Sequence, residues 1–174
     1  MADIVDGYIF GLRDIKLTDL DGSNQVDLPA ARTLTWQETV VSDSLRGDDK
    51  IVSTVAFVEG GEFSLEAGGI SLEAYAKLTG EAVVTTGSTP NRTQTVTRRG
   101  ATSCPWLKIY GRALGDNNDG IHVKLRKAKL TSLEGNLTNQ EFYITKAGGM
   151  FIADDSEELY DLVKLETDAE LPTS

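Results

Sequence analysis

The chain has 174 residues, 40% of them hydrophobic and 25% charged, which is the make-up of one globular domain and not of a disordered segment. A net charge of −10 argues against a phosphate-binding surface as the main function, because affinity for nucleic acid comes largely from Lys and Arg. No apolar run approaches the ~20 residues that span a membrane, and the early acids leave no signal peptide. The single cysteine, Cys104, cannot close a disulfide within the chain, which fits folding in a reducing cytosol.

In chain order, residues 1–10 include Val5, Tyr8, Ile9 and Phe10, so this arm is expected to pack on the body or on a neighbouring subunit. Residues 11–20 alternate at Arg13, Ile15 and Leu17 and predict a strand, followed by a turn over 19–24. A second strand is predicted over 32–41, with Leu34, Trp36, Glu38 and Val40 on one face and Thr33, Thr35, Gln37 and Thr39 on the other. Residues 42–49 form a polar connection longer than a tight hairpin needs. A third strand is predicted over 50–58. Gly60 and Gly61 then turn the chain into a fourth strand over 62–67, where Phe63, Leu65 and Ala67 oppose Glu62, Ser64 and Glu66. The whole is a long hairpin whose charged tip projects from the body. If the tip needs a positive φ, Gly47 is expected to supply it, and a β-branched residue there to impair assembly more than monomer folding.

The helix signal falls within residues 66–80. Ile70, Ala74 and Leu78 recur at spacing four, Leu72, Tyr75 and Ala76 widen the stripe, and Gly80 stands where a C-terminal glycine belongs. Glu73 and Lys77 have the spacing of an ion pair. So short a helix must dock on the sheet. Beyond it come a loop at 87–91, a polar strand at 92–98, a strand at 106–114, a turn at 116–120 and an alternating strand at 121–131. Last strands are expected in 141–145 and 158–165, before an acidic, frayed tail from Glu166.

Cys104 and His122, the sole histidine, form the only Cys/His combination, and no nucleophile motif surrounds either. The acidic turns at 19–24 and 116–120 resemble calcium loops faintly but lack the flanking helices and the final Glu of an EF-hand. The basic run Lys124, Arg126, Lys127, Lys129, with Arg98, Arg99 and Arg112, lacks interleaved aromatics within the run. It is expected to be a subunit contact or a solvated face. No metal, cofactor or catalytic constellation emerges. That points to a mainly β structural or interaction protein and away from an enzyme.

Six phrases in this order carry a resemblance: 11–18 (GLRDIKLT), 27–34 (DLPAARTL), 45–50 (LRGDDK), 65–75 (LEAGGISLEAY), 89–93 (TPNRT), and 121–123 with 127–131 (IHV, KAKLT). Over residues 11–165 the chain resembles the major tail tube proteins of long, non-contractile-tailed bacteriophages. The resemblance implies a β-sandwich or barrel-like fold with one flanking helix. It implies homo-hexameric rings stacked into a tube with tape measure, tail tip and terminator proteins as partners. DNA would pass through an electronegative lumen without specific binding. It places the protein in the virion and, during assembly, in the host cytoplasm. It carries no active site and no cofactor. A long loop between inner strands reaches the next ring, which makes Asp43, Leu45, Arg46, Asp48, Asp49 and Lys50 the inter-ring candidates; Glu38, Glu62 and Glu66 are the lumen candidates. The alternatives are another ring-forming tail protein, such as a terminator, and a carbohydrate- or cell-surface-binding β module.

Overall fold

The computed structural model describes residues 8–69 and 71–171; the expectations for residues 1–7, Ile70 and 172–174 lie outside them. Strand β1 (Ile9–Asp19) buries Ile15 and Leu17 completely, and its edge is extended by the short β2 (Val26–Leu28). Two long strands follow, β3 (Ala31–Gly47) and β4 (Lys50–Gly68), then helix α1 (Leu72–Thr79). A separate two-stranded ribbon is made by β5 (Val83–Thr86) and β6 (Thr93–Val96). The chain returns through β7 (Trp106–Gly115), β8 (Gly120–Asn136), β9 (Ile144–Phe151) and β10 (Tyr160–Leu165).

The main sheet runs β2-β1-β7-β8-β9-β4-β3 and is antiparallel throughout. On one side of β8, β10 pairs with residues 120–125 and β9 with residues 128–136, end to end. On the other side β7 pairs only as far as Lys129. The sheet curls until β1 and β7 face β3 across a single core. That core holds Ile15, Leu17, Phe63, Leu65, Leu107, Ile109, Leu125 and Phe151. The architecture is mainly β with one helix, as expected.

The helix closes one end of this core. Ser71 caps it by accepting from the Ala74 amide at 3.2 Å, and Gly80 ends it in the left-handed conformation at φ 76°. Ala74 and Leu78 are buried against the core. Lys77 does not pair with Glu73. Its Nζ lies 2.5 Å from Asp19 Oδ1, because the helix docks beside the turn that follows β1. Burial pushes the Asp19 carboxyl upward, but the hydrogen bonds from Lys77 and Asn24 outweigh it and leave the group below the ordinary carboxylate range.

Two expectations about the hairpin are revised. Residues 42–47 are strand, not connection, and the loop is only Asp48–Asp49. The loop residues Asp48 (φ 41°) and Asp49 (φ 64°) are both left-handed, the signature of a two-residue hairpin turn; the expectation for Gly47 lies outside the described residues. Residues 50–68 form one continuous strand, so Gly60 and Gly61 do not turn the chain. Their role is close approach: a Cβ on Gly61 would stand 2.3 Å from the Phe151 ring, and one on Gly149 would stand 2.6 Å from the Phe63 ring. The two phenyl rings pack flat only over bare backbone.

Two C-terminal expectations also change. The strand foreseen at 141–145 is β9, which starts at Ile144 and runs on to Phe151. Residues 166–171 are not frayed. Arg112 grips Asp168 with two hydrogen bonds of 2.9 and 2.5 Å, the Asp168 amide donates to Asn118 O, His122 Nε2 meets Ala169 O, and Leu171 is 2% exposed.

Candidate assembly site

β4 has β9 as its second neighbour only from Gly61 onward. From Val40 to Gly47 and from Lys50 to Val58, therefore, β3 and β4 pair with each other alone and project as a two-stranded ribbon. Eight residues of strand give a reach of about 25 Å. Both backbone edges of the ribbon are open, and its side chains are exposed on both faces: Leu45 65%, Val52 66%, Val55 61% and Phe57 57%. An isolated two-stranded ribbon is marginal in water, and uncovered edges and apolar side chains of this extent mark a contact surface. All six inter-ring candidates, Asp43, Leu45, Arg46, Asp48, Asp49 and Lys50, lie on it.

The outward face of the hairpin changes polarity along its length. In the body, Leu34, Trp36, Phe63 and Leu65 face the core, while Thr33, Thr35, Gln37, Glu62, Ser64 and Glu66 face out. Past the irregularity at Glu59, where Thr39 pairs Gly60 and Val40 pairs Val58, the outward face becomes apolar. It presents Val41 opposite Phe57, Val55 opposite Asp43, and Leu45. The other face carries Val40 opposite Val58 and Ser42 opposite Ala56, then Ser44 and Thr54, with a Ser44–Thr54 hydroxyl contact of 3.1 Å.

The lumen candidates separate. Glu62 and Glu66 share the outward polar face with Lys146, whose Nζ lies 3.2 Å from Glu66 Oε1. Glu38 is on the opposite face, where it accepts from the Tyr160 hydroxyl at 2.5 Å. That hydrogen bond, with burial added to it, holds the Tyr160 phenol above its ordinary pKa. Alternation along β3 already put Glu38 with Leu34 and Trp36; only the fold shows that this is the core side.

Backbone edges form a second set of contacts. β3 is an edge strand along its whole length, and β8 from Leu130 to Asn136 is paired by β9 alone. Two open edges thus bound the layer β3-β4-β9-β8, whose outward face carries the Thr, Ser, Gln and Glu side chains.

The basic run is bound internally. Arg126 reaches Asp154, Glu158 and Asp161, Lys124 reaches Asp161, Lys127 reaches Asp155, and Arg112 holds Asp168. Arg98 and Arg99 converge on Glu81, whose side chain is almost wholly buried. Trp106 and Tyr110 of β7 interleave with these cations, Trp106 against Lys127 and Lys129 and Tyr110 under Lys124. Cross-strand register brings these aromatics in; the run itself contains none. Intramolecular carboxylates use up most of the cations expected at a subunit contact.

Cys104 and His122 do not meet. The thiol accepts from Arg98, and the imidazole from β8 touches Ala169 O. Among the described residues no cluster of three or more His, Cys, Asp or Glu side chains is placed to hold a metal. At the 116–120 turn, Asp116 exchanges two hydrogen bonds with Tyr8. Asp119 folds back against Gly115, 5% exposed, with neither carboxylate oxygen hydrogen-bonded. Sequence reading missed this orphaned carboxylate, because an Asp before Gly in a turn is ordinarily solvated. No helix among the described residues is long and apolar enough to cross a membrane.

No protein-family model matches the chain, and no curated protein matches it. Among solved structures, it is similar to a chain in the six-fold symmetrised cryo-EM structure of the anti-feeding prophage baseplate. The identity is 12%, the match covers 94% of this chain and 97% of that one, and the TM-score is 0.45.

Proposed function

We propose that this chain is a structural subunit of a phage tail tube: copies join side by side into hexameric rings, and the rings stack through the β3–β4 ribbon. The observation that carries this reading is the ribbon itself, open at both edges and apolar on its outward face. A monomer gains nothing from extending such a surface, whereas a repeating assembly buries it at every step. The ordered phrases that resemble tail tube proteins support the same reading.

Within a ring, the free edge of β3 on one copy pairs with the open 130–136 edge of β8 on the next. The layer β3-β4-β9-β8 then continues from subunit to subunit. Its outward face supplies Glu62 and Glu66 to the lumen, and with a chain of net charge −10 that lining repels DNA rather than holding it. Glu38, on the other face, takes no part in the lining.

Negative-stain electron microscopy of the purified protein over a range of concentrations tests the proposal. Hollow filaments with a regular axial repeat are expected. A protein that stays monomeric at high concentration and is not incorporated when tail-tip complexes are added overturns it.

A further inference from the structure

We infer that Phe57, at the base of the ribbon, packs against the 137–143 loop of a second copy stacked on the first, with Phe142 and Leu137 as its receptor. This rests on the stacking reading above and names the surface that the ribbon meets.

The layer β3-β4-β9-β8 has two unlike ends. Its cross-strand rows run from Thr33, Glu66, Lys146 and Glu134 at one end to Glu38, Gly61, Phe151 and Ala128 at the other. Beyond the second row, β3 and β4 continue as the ribbon. Beyond the first, Asn136 pairs Ile144 and the 137–143 loop joins β8 to β9. Ribbon and loop therefore leave the layer in opposite directions along the strands. Strands that join edge to edge around a ring run from one face of that ring to the other, so the ribbon leaves one face and the loop the opposite face. Rings stacked in the same sense bring these two unlike ends together. That is a head-to-tail contact, which propagates.

Both ends carry apolar side chains that the monomer leaves uncovered. Phe142 is 95% exposed and Leu137 is 83% exposed. The loop that presents them is held in place: Gly69 N–H donates to Tyr143 O at 2.9 Å, the Glu141 amide to Thr138 O at 3.3 Å, and the Thr138 hydroxyl to Asn136 Oδ1 at 3.0 Å. On the facing end, Phe57 stands two rows past the Thr39–Gly60 row, about 7 Å along the strands. That is the level at which the loop of a stacked copy begins. The tip, with Arg46, Lys50, Asp48 and Asp49, lies about 20 Å farther on and takes no part in this contact. Asp43 and Glu141 are exposed and carry like charge. Their repulsion turns the β4 strand of the ribbon, with Phe57 and Val55, toward the loop and the β3 strand, with Asp43, away from it. One such contact is small, but a ring repeats it in every copy.

A double-mutant cycle on the full chain tests the contact, reading the concentration at which filaments form. Melting of each unassembled variant checks that it folds. Phe57→Ala and Phe142→Ala are each expected to raise that concentration about tenfold. Residues that touch are not additive, so the double variant is expected to need no more protein than either single one. A Phe142→Ala chain that assembles at the wild-type concentration, or effects that multiply to about a hundredfold in the double variant, overturns the loop assignment and leaves the tube reading standing. Failure of the wild-type chain to form filaments at all, alone or with tail-tip complexes, overturns the tube reading and this inference with it.

Discussion

The Tyr160 hydroxyl, on β10, donates to Glu38 Oε1, on β3, at 2.5 Å. The two residues are 122 apart in sequence and join the edge strand β3 to β10, which pairs β8. The Tyr160 ring also stands edge-on to Phe151 and tilted against Trp36, so an aromatic cluster and a charged hydrogen bond share one place. Glu38 is thereby a stabilising residue of the monomer. Tyr160→Phe is expected to cost about 1 kcal/mol in urea unfolding and to leave assembly unchanged. Loss of assembly at unchanged stability would return Glu38 to the lumen.

The ribbon turn is set by Asp48 and Asp49, both at positive φ. Replacing Asp48 with Asn and Asp49 with Gly, the pair this turn prefers, should tighten the ribbon without altering its apolar face. Slower amide exchange along residues 42–46 is the expected readout. Unchanged exchange along these residues in the Asn-Gly variant would mean that the turn has been misplaced.

Gly61 and Gly149 lie beneath the phenyl rings of Phe151 and Phe63. Gly61→Ala forces a methyl into the ring and toward Gln37 O, also at 2.3 Å. A loss of about 1–3 kcal/mol is expected. The lesion belongs to the monomer, so a chemical denaturation curve should show it at concentrations too low for assembly. An unchanged midpoint would mean that the rings do not pack as described.

Asp119 is buried with both oxygens unpaired. Burying such a group costs free energy that an uncharged side chain avoids in large part. Asp119→Asn should therefore raise the melting temperature of the unassembled chain. A lowered melting temperature would mean that the carboxylate has a partner which the amide cannot replace.

The hydrogen bonds from Arg112, outweighing the opposing effect of burial, hold the Asp168 carboxyl below its ordinary range. The sign follows from linkage: a depressed carboxyl stabilises the fold above its unfolded pKa, and that contribution disappears as pH falls through the folded value. The 166–171 segment should therefore loosen below about pH 4. Exchange of the Asp168 amide, which donates to Asn118 O, should accelerate there. In Asp168→Asn this pH step should be absent; a step that persists would assign it to another group.

Much of this architecture is legible from residue order. Alternation of Ile15 with Leu17, of Leu34 with Trp36 and of Phe63 with Leu65 marks the core faces, because strand side chains have a period of two. Ser71, the stripe at Ala74 and Leu78, and Gly80 delimit the helix through local capping chemistry. The projecting hairpin is also foreseeable, since long alternating stretches flank its charged tip. The turns at 19–24 and 116–120 follow from Asp, Asn and Gly alone.

Other features required the assembled chain. Gly60 and Gly61 have the composition of a turn, yet Phe151, ninety residues away, requires bare backbone there, and the strand runs straight through. Glu38, Glu62 and Glu66 are the same kind of residue on alternating strands, and only the curl of the sheet tells core side from outer side. The cations of β8 find carboxylates in the 154–161 segment and the tail, and their aromatics on β7, through cross-strand register. The apolar cleft lined by Leu12, Leu34, Trp36 and Ile121 exists only because β1, β3, β7 and β8 converge. Local sequence determines period, caps and turns because those depend on near neighbours. Which face is covered, which edge stays open and which charge is left unpaired depend on partners far along the chain, and the tertiary structure alone decides them.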